Sequence, residues 1–226
     1  MISRNQVVAD SITGGGSTGG ENVTGSTNVA NSGSATCALP SHDPDVLVIV
    51  NIALANGSSQ TVSSVSVGST SATQLVTIAN GTSVSDDIWY LYDTISGAET
   101  TTVMLSASAS MGITCAVYAN TASANNCVPS SNCFEQTATA DSDSGTASVM
   151  VNSGTAGCAF LLSVGEGANA GITGQQGADW KLANSSISGL SEEINVFEAA
   201  RNQAYTMTST FASNNWAAIG TAILDA

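Results

Sequence analysis

The stretch "DDIWYLYDTISGAETTTVMLSASAS", residues 86–110, decides how the chain folds. Its first half alternates: Ile88, Tyr90 and Tyr92 point to one side of an extended strand, Trp89 and Leu91 to the other, because the side-chain period of a strand is two. "TISGAET" (94–100) then carries the bend, and a β-branched run ending in Val103-Met104-Leu105 forms the next strand. Three aromatics within four positions of such a strand supply core area. The functional alternative is an exposed aromatic platform for a sugar.

Outward from this hairpin the same grammar repeats. "VLVIVNIAL" (46–54) is apolar on both faces, as a strand buried on both sides must be. "VSSVSVG" (62–68) and "ATQLVTIANG" (72–81) read as a hairpin. "GITCAVYA" (112–119), "TASVMVNSG" (146–154), "CAFLLSVG" (158–165), "AYTMTSTFAS" (204–213) and "NWAAIGTAIL" (215–224) each read as strands. Only "SEEINVFEAARNQ" (191–203) has helical content, and its β-branched residues suit a short strand equally well. Short strands separated by Gly/Ser/Asn turns predict an all-β chain, a jelly-roll-like antiparallel β-sandwich of two sheets. Residues 1–35, rich in Gly and Ser without hydrophobic periodicity, read as an extended N-terminal arm ahead of a sandwich domain at 36–226.

Composition narrows function. The 226 residues include 17 acidic and 3 basic ones, for a net charge of -14, and only 9% are charged. An average domain carries roughly 25%. The surface is therefore mostly Ser, Thr, Asn, Gly and Ala, and three cations (Arg4, Lys181, Arg201) cannot form the basic patch that nucleic acid requires. No apolar run approaches the roughly 20 residues of a membrane helix. The opening "MISRNQVVADSITGGG" has neither a basic n-region nor an apolar h-region, so synthesis in a cytoplasm without a signal peptide is expected.

Chemically versatile side chains are scarce. His42, in "SHDPD", is the single histidine, so any Ser-His-Asp triad would have to use it; beside Asp43 and Asp45 on a Pro-containing turn it reads as a solvated residue. "GGGSTG" (14–19) matches a dinucleotide pattern by letter only, with no strand before it or helix after it. "DSDSG" (141–145) opens like a calcium loop, making Asp141 and Asp143 the metal candidates, although no distal bidentate Glu follows. "DD" at 86–87 and "EE" at 192–193 add oxygen donors that nothing in the sequence ties together. One His and scattered Cys lack zinc spacing. Of the five cysteines, Cys127 and Cys133 bracket a turn-rich loop and are the candidate disulfide; Cys115 and Cys158 read as free thiols on inward strand faces. No catalytic residue, and no cofactor beyond the calcium candidate, is expected.

In order, "VLVIVNIAL" (46–54), "VSSVSVGST" (62–70), "DIWYLYDTISGAETTTVMLSAS" (87–108) and "NNWAAIGTAIL" (214–224) resemble the core and turn pattern of β-sandwich domains found in phage virion proteins and bacterial surface proteins. The resemblance covers most of residues 36–224 and implies a fold, with no functional residue carried over. Together with the missing signal peptide, the scarcity of catalytic residues and the Gly/Ser arm, it leads us to expect a viral structural protein, such as a capsid decoration (cement) protein or another head or tail surface component. Its partners would be the major capsid or tail protein and copies of itself in an oligomeric assembly, and its location the virion. A carbohydrate-binding or adhesion module of a cell-surface protein is the alternative, and an enzyme is not expected.

Overall fold

The structure is a computed structural model. It describes residues 23–44, 46–55, 60–118, 134–152, 158–167, 174–176, 180–187, 190–197, 204–210 and 215–224. All described elements are strands and every ladder between them is antiparallel. The all-β antiparallel class is the one that the strand signals imply. They are β1 (Val23–His42), β2 (Val46–Ala55), β3 (Val62–Val67), β4 (Thr70–Ser71), β5 (Thr73–Asn80), β6 (Val84–Asp93), β7 (Gly97–Tyr118), β8 (Phe134–Ser142), β9 (Thr146–Asn152), β10 (Cys158–Glu166), β11 (Gly174–Gln176), β12 (Trp180–Ile187), β13 (Leu190–Phe197), β14 (Ala204–Thr210) and β15 (Trp216–Leu224).

The strands make three sheets where two were expected. The first runs β4-β3-β7-β2-β6-β5 with β1 also on β7, the second β12-β13-β10-β15-β8, the third β11-β14-β9. β7, expected as two strands, is one strand of 22 residues. Its first half pairs with β3 and its second half with β2, while β1 follows it along both halves. This long pair doubles back on itself. Cys37 sits opposite Thr101, and Cys115 would lie about 46 Å further along a straight strand at roughly 3.3 Å per residue. Yet Cys37 and Cys115 are joined as a disulfide with their Cα atoms 6.3 Å apart. The fold-over is eased in β1 by register breaks between Val29 and Ser34 and by Asn31 at φ 49°. The first sheet is thereby nearly closed, barrel-like.

Four apolar clusters follow among the described residues, three of them large and a fourth formed by Ala53, Val84 and Ala217. Inside the folded sheet lie Val46, Val48, Val50, Ile52 and Leu54 of β2 with Val65, Val103, Met111, Ile113 and the disulfide. Between the first and second sheets lie Leu47, Ile49, Ile88, Ala116, Phe134, Leu161 and Ile219. Between the second and third sheets lie Ala147, Val149, Val151, Leu162, Val164, Met207 and Ala218. β2 is apolar on both faces because both faces are covered. At Gly220 a Cβ would stand 2.8 Å from side-chain atoms of Met207, Val149 and Val151, so only glycine lets the third sheet approach this closely.

Several local readings change. β3 and β5 are not a hairpin: β3 pairs with β4 and β7, β5 with β6, and they stand apart in the sheet. Of the two readings left open for residues 191–203, the segment from Leu190 to Phe197 takes the strand. The 35/36 boundary falls inside β1, whose Gly/Ser-rich part is a registered strand from Val23 onward. Cys115 is not a free thiol. It pairs with Cys37, a partner that spacing could not reveal because the doubling of β7 brings it near. The Cys127–Cys133 candidate lies outside the described residues.

Candidate functional site

The doubled sheet gathers three strand ends at one rim. His42 ends β1 opposite Gly97, where β7 begins. Asp93 ends β6 opposite Val46, the start of β2. Glu99 lies on β7 opposite Leu39. Their ligand atoms fall within 4.8 Å of one another, the one such His/Cys/Asp/Glu group among the described residues. The expectation of a solvated His42 is therefore overturned: its side chain is 2% exposed, and Asp93 beside it 4%. Asp43, its chain neighbour, is exposed.

Local structure aims each group. The His42 ring places Nδ1 2.9 Å from the Asp43 carbonyl oxygen. An oxygen that can only accept assigns the ring hydrogen to Nδ1, so in the neutral ring Nε2 carries a lone pair. That lone pair faces Asp93 Oδ2 at 3.7 Å. Asp93 is held by its other oxygen, Oδ1, which accepts from the Ile95 backbone N–H at 2.9 Å in an Asx turn. Glu99 is seated by Gly68, in the turn between β3 and β4 at φ +54°. A Cβ there would lie 2.5 Å from Glu99 Oε1.

Three acceptors thus converge. With both carboxyls ionised, no hydrogen-bond donor of the described residues reaches His42 Nε2, Asp93 Oδ2 or Glu99 Oε2, and all three atoms are buried. Such a cluster needs a positive centre, either a proton or a cation. The proton is already in demand. A hydrogen bond with the Asp93 carboxyl, then partial burial and the Asp93 charge, push Glu99 up to about 7, with His42 pulling it back.

Asp141 and Asp143 do not join a comparable group. Both are exposed at the β8–β9 turn, and the Asn80 amide donates to Asp143 Oδ1 at 3.0 Å and to the Ser142 carbonyl at 2.7 Å. This turn is clamped from the first sheet as an ordinary structural corner. The aromatics of residues 86–93 pack inward: Trp89 and Leu91 on the first core, Tyr90 and Tyr92 on the second, with Tyr90 edge-on to Phe134 at 5.0 Å. These rings do not form an exposed sugar platform.

The "DD" pair sits at the other end of β6, one residue on each sheet face. Asp86 and Asn51 meet Ser163 of the second sheet, whose Oγ is 2.6 Å from both Asp86 Oδ2 and Asn51 Oδ1. One hydroxyl has one hydrogen, so either Asn51 presents its amide nitrogen or Asp86 carries a proton. All three are fully buried, which makes this a clamp between sheets rather than a site open to substrate.

Asp87 points the other way, 3% exposed, and accepts from Gln74 Nε2 at 2.9 Å. Burial pushes its carboxyl from 3.8 up to about 6, against the pull of hydrogen bonds from Thr77 and Gln74. Because the folded state holds this proton more tightly than the unfolded chain, stability falls as pH rises from about 4 to about 6 and is flat above. The gap corresponds to about 3 kcal/mol. Asp87→Asn keeps an acceptor for Gln74 and removes the charge. Urea denaturation from pH 4 to pH 7 is expected to show the variant losing this slope and exceeding the parent at pH 7; parallel pH curves would refute the assignment.

Among the described residues no helix is long and apolar enough to cross a membrane. Comparison with protein-family models, with curated proteins and with solved structures finds no match for this chain.

Proposed function

We propose that the chain is a structural component of a virus particle, a phage capsid decoration (cement) protein or another head or tail surface subunit. It docks on the particle lattice through its N-terminal segment and the sandwich, beside major capsid or tail protein and further copies of itself. One observation carries this reading: how β1 is ordered. From Val23 to Asn28 the strand is "VTGSTN", a sequence with almost no apolar anchor, yet it is registered residue by residue along Val117 to Gly112 of β7. Strand pairing can therefore take up this composition. Residues 11–22, "SITGGGSTGGEN", continue the same chemistry directly ahead of it. Small hydroxyl and glycine residues lose little side-chain entropy on docking, so such a segment suits addition to a strand edge of a neighbouring subunit. Many modest contacts of that kind, repeated over a lattice, give avidity.

The resemblance to virion β-sandwiches and the short polar surface side chains support the same reading. Deleting residues 1–22 leaves β1 intact. Immunogold labelling of purified particles is expected to find the full chain on virions and the truncated chain at least tenfold depleted, while its circular dichroism stays that of the full chain. Particles that never label would refute the virion reading. Equal incorporation of the truncated chain would refute docking through the N-terminal segment.

A further inference from the structure

We propose that His42, Asp93 and Glu99 form a binding site for a first-row divalent transition cation of the zinc class, which ties together the ends of β1, β6 and β7. This inference is independent of the virion reading, because it rests on the rim of the sheet alone.

The three donor atoms are gathered as the ligands of a metal would be. With His42 neutral and both carboxyls ionised, His42 Nε2 and Asp93 Oδ2 are both lone-pair atoms, both buried and 3.7 Å apart, and no donor from outside the cluster reaches either among the described residues. Two buried acceptors aimed at each other repel unless something positive lies between or beside them. A tetrahedral ion with bonds of about 2.0–2.1 Å holds its ligand atoms about 3.3 Å apart. The His42–Asp93 pair is therefore within about half an ångström of a ligand edge. Glu99 closes the third side from the half-buried rim, its ligand atom within 4.8 Å of the other two.

The surroundings match those of a metal centre. Ligating imidazoles donate their second ring N–H to a carbonyl or carboxylate, as His42 Nδ1 does to Asp43. Asp93 is fixed by the Ile95 backbone N–H, and Gly68 keeps the Glu99 seat free of a side chain. One imidazole with two carboxylates favours Zn²⁺, Mn²⁺, Fe²⁺ or Co²⁺ over Ca²⁺ and Mg²⁺, which prefer all-oxygen shells. Two carboxylates also neutralise the dication. Three protein donors leave the fourth tetrahedral position to a non-protein ligand such as water.

The test uses the full chain, its 37–115 disulfide intact, stripped with chelator and alkylated at its remaining thiols so that sulfur cannot bind metal. Titration with Co²⁺ alone is expected to give d–d absorption saturating at one ion per chain, without a thiolate charge-transfer band. Zn²⁺ should displace it. Glu99→Gln, at the rim, should fold as the parent does and bind at least tenfold more weakly; His42→Gln should do the same. Zn²⁺ should raise the melting temperature of the parent and not of either variant, while an Asp141→Asn/Asp143→Asn control behaves as the parent. Absence of saturable Co²⁺ or Zn²⁺ uptake would overturn the proposal, leaving the cluster to a shared proton. So would unchanged affinity in Glu99→Gln, or a preference for Ca²⁺ over Zn²⁺.

Discussion

Removing the Cys37–Cys115 disulfide is expected to lower stability by about 4.5 kcal/mol. The bond closes a sequence separation of 78 residues, and loop-closure entropy for a ring of that length accounts for about this much at 25 °C. Replacing both cysteines with alanine adds the loss of two buried sulfurs from the first core, where each residue is fully covered. For a chain of this size the melting temperature should fall by about 10–15 °C. The effect matters because of where the bond lies. It joins the part of β1 that pairs with the start of β7 to the far half of β7, so it pins the sheet in its doubled form. Guanidinium unfolding of the parent and of Cys37→Ala/Cys115→Ala, each refolded from denaturant, measures the difference. Coincident curves would mean that the apolar core alone holds the doubled sheet. Since cytoplasmic thiols are kept reduced, full stability is reached only where the protein meets an oxidising medium.

What could be read from the sequence was what period two encodes. The faces of Ile88, Trp89, Tyr90, Leu91 and Tyr92, and the two-sided burial of residues 46–54, are local patterns, and the structure places them as the alternation requires. Long-range features were not legible for a physical reason. "SASAS" at 106–110 has no apolar stripe, so nothing marks it as the middle of a single bent strand. In β1, Ala35, Cys37 and Leu39 do alternate inward, a short signal hidden behind a Gly/Ser-rich lead. The rim cluster was hardest. His42 beside Asp43 reads as solvated, and the sequence singles out neither Asp93 nor Glu99. Only the register, His42 against Gly97 and Val46 against Asp93, brings them together. The available hint was the aspartate at the end of "DDIWYLYD", at the close of an apolar strand whose next charged group, Glu99, lies past the turn.

Truncating both faces of β2 is expected to produce the largest loss of all. Ile49 packs with Leu47, Ile88 and Leu161 in the core between the first two sheets, whereas Ile52 packs with Met111 and Ile113 inside the folded sheet. Each is fully buried, so Ile49→Ala and Ile52→Ala should each cost about 3 kcal/mol through lost transfer energy and the cavity left behind. Three residues apart on a strand, their side chains lie on opposite faces and share no core partner. The two losses should therefore add to about 6 kcal/mol, within about 0.5 kcal/mol. That sum approaches the whole stability of an ordinary domain, about 5–15 kcal/mol, so the double variant is measured with its disulfide intact and in stabilising salt. An ordinary two-sheet sandwich would behave differently. One face of β2 would be solvated there, and one of the two truncations would cost less than about 0.5 kcal/mol. Equal, additive losses require a strand buried between two separate cores, which is the arrangement that places β2 behind the His42–Asp93–Glu99 rim and holds β6 and β7 in register on either side of it. A single loss under about 1 kcal/mol at either residue would remove the two-sided burial of β2 in the doubled first sheet on which that rim depends.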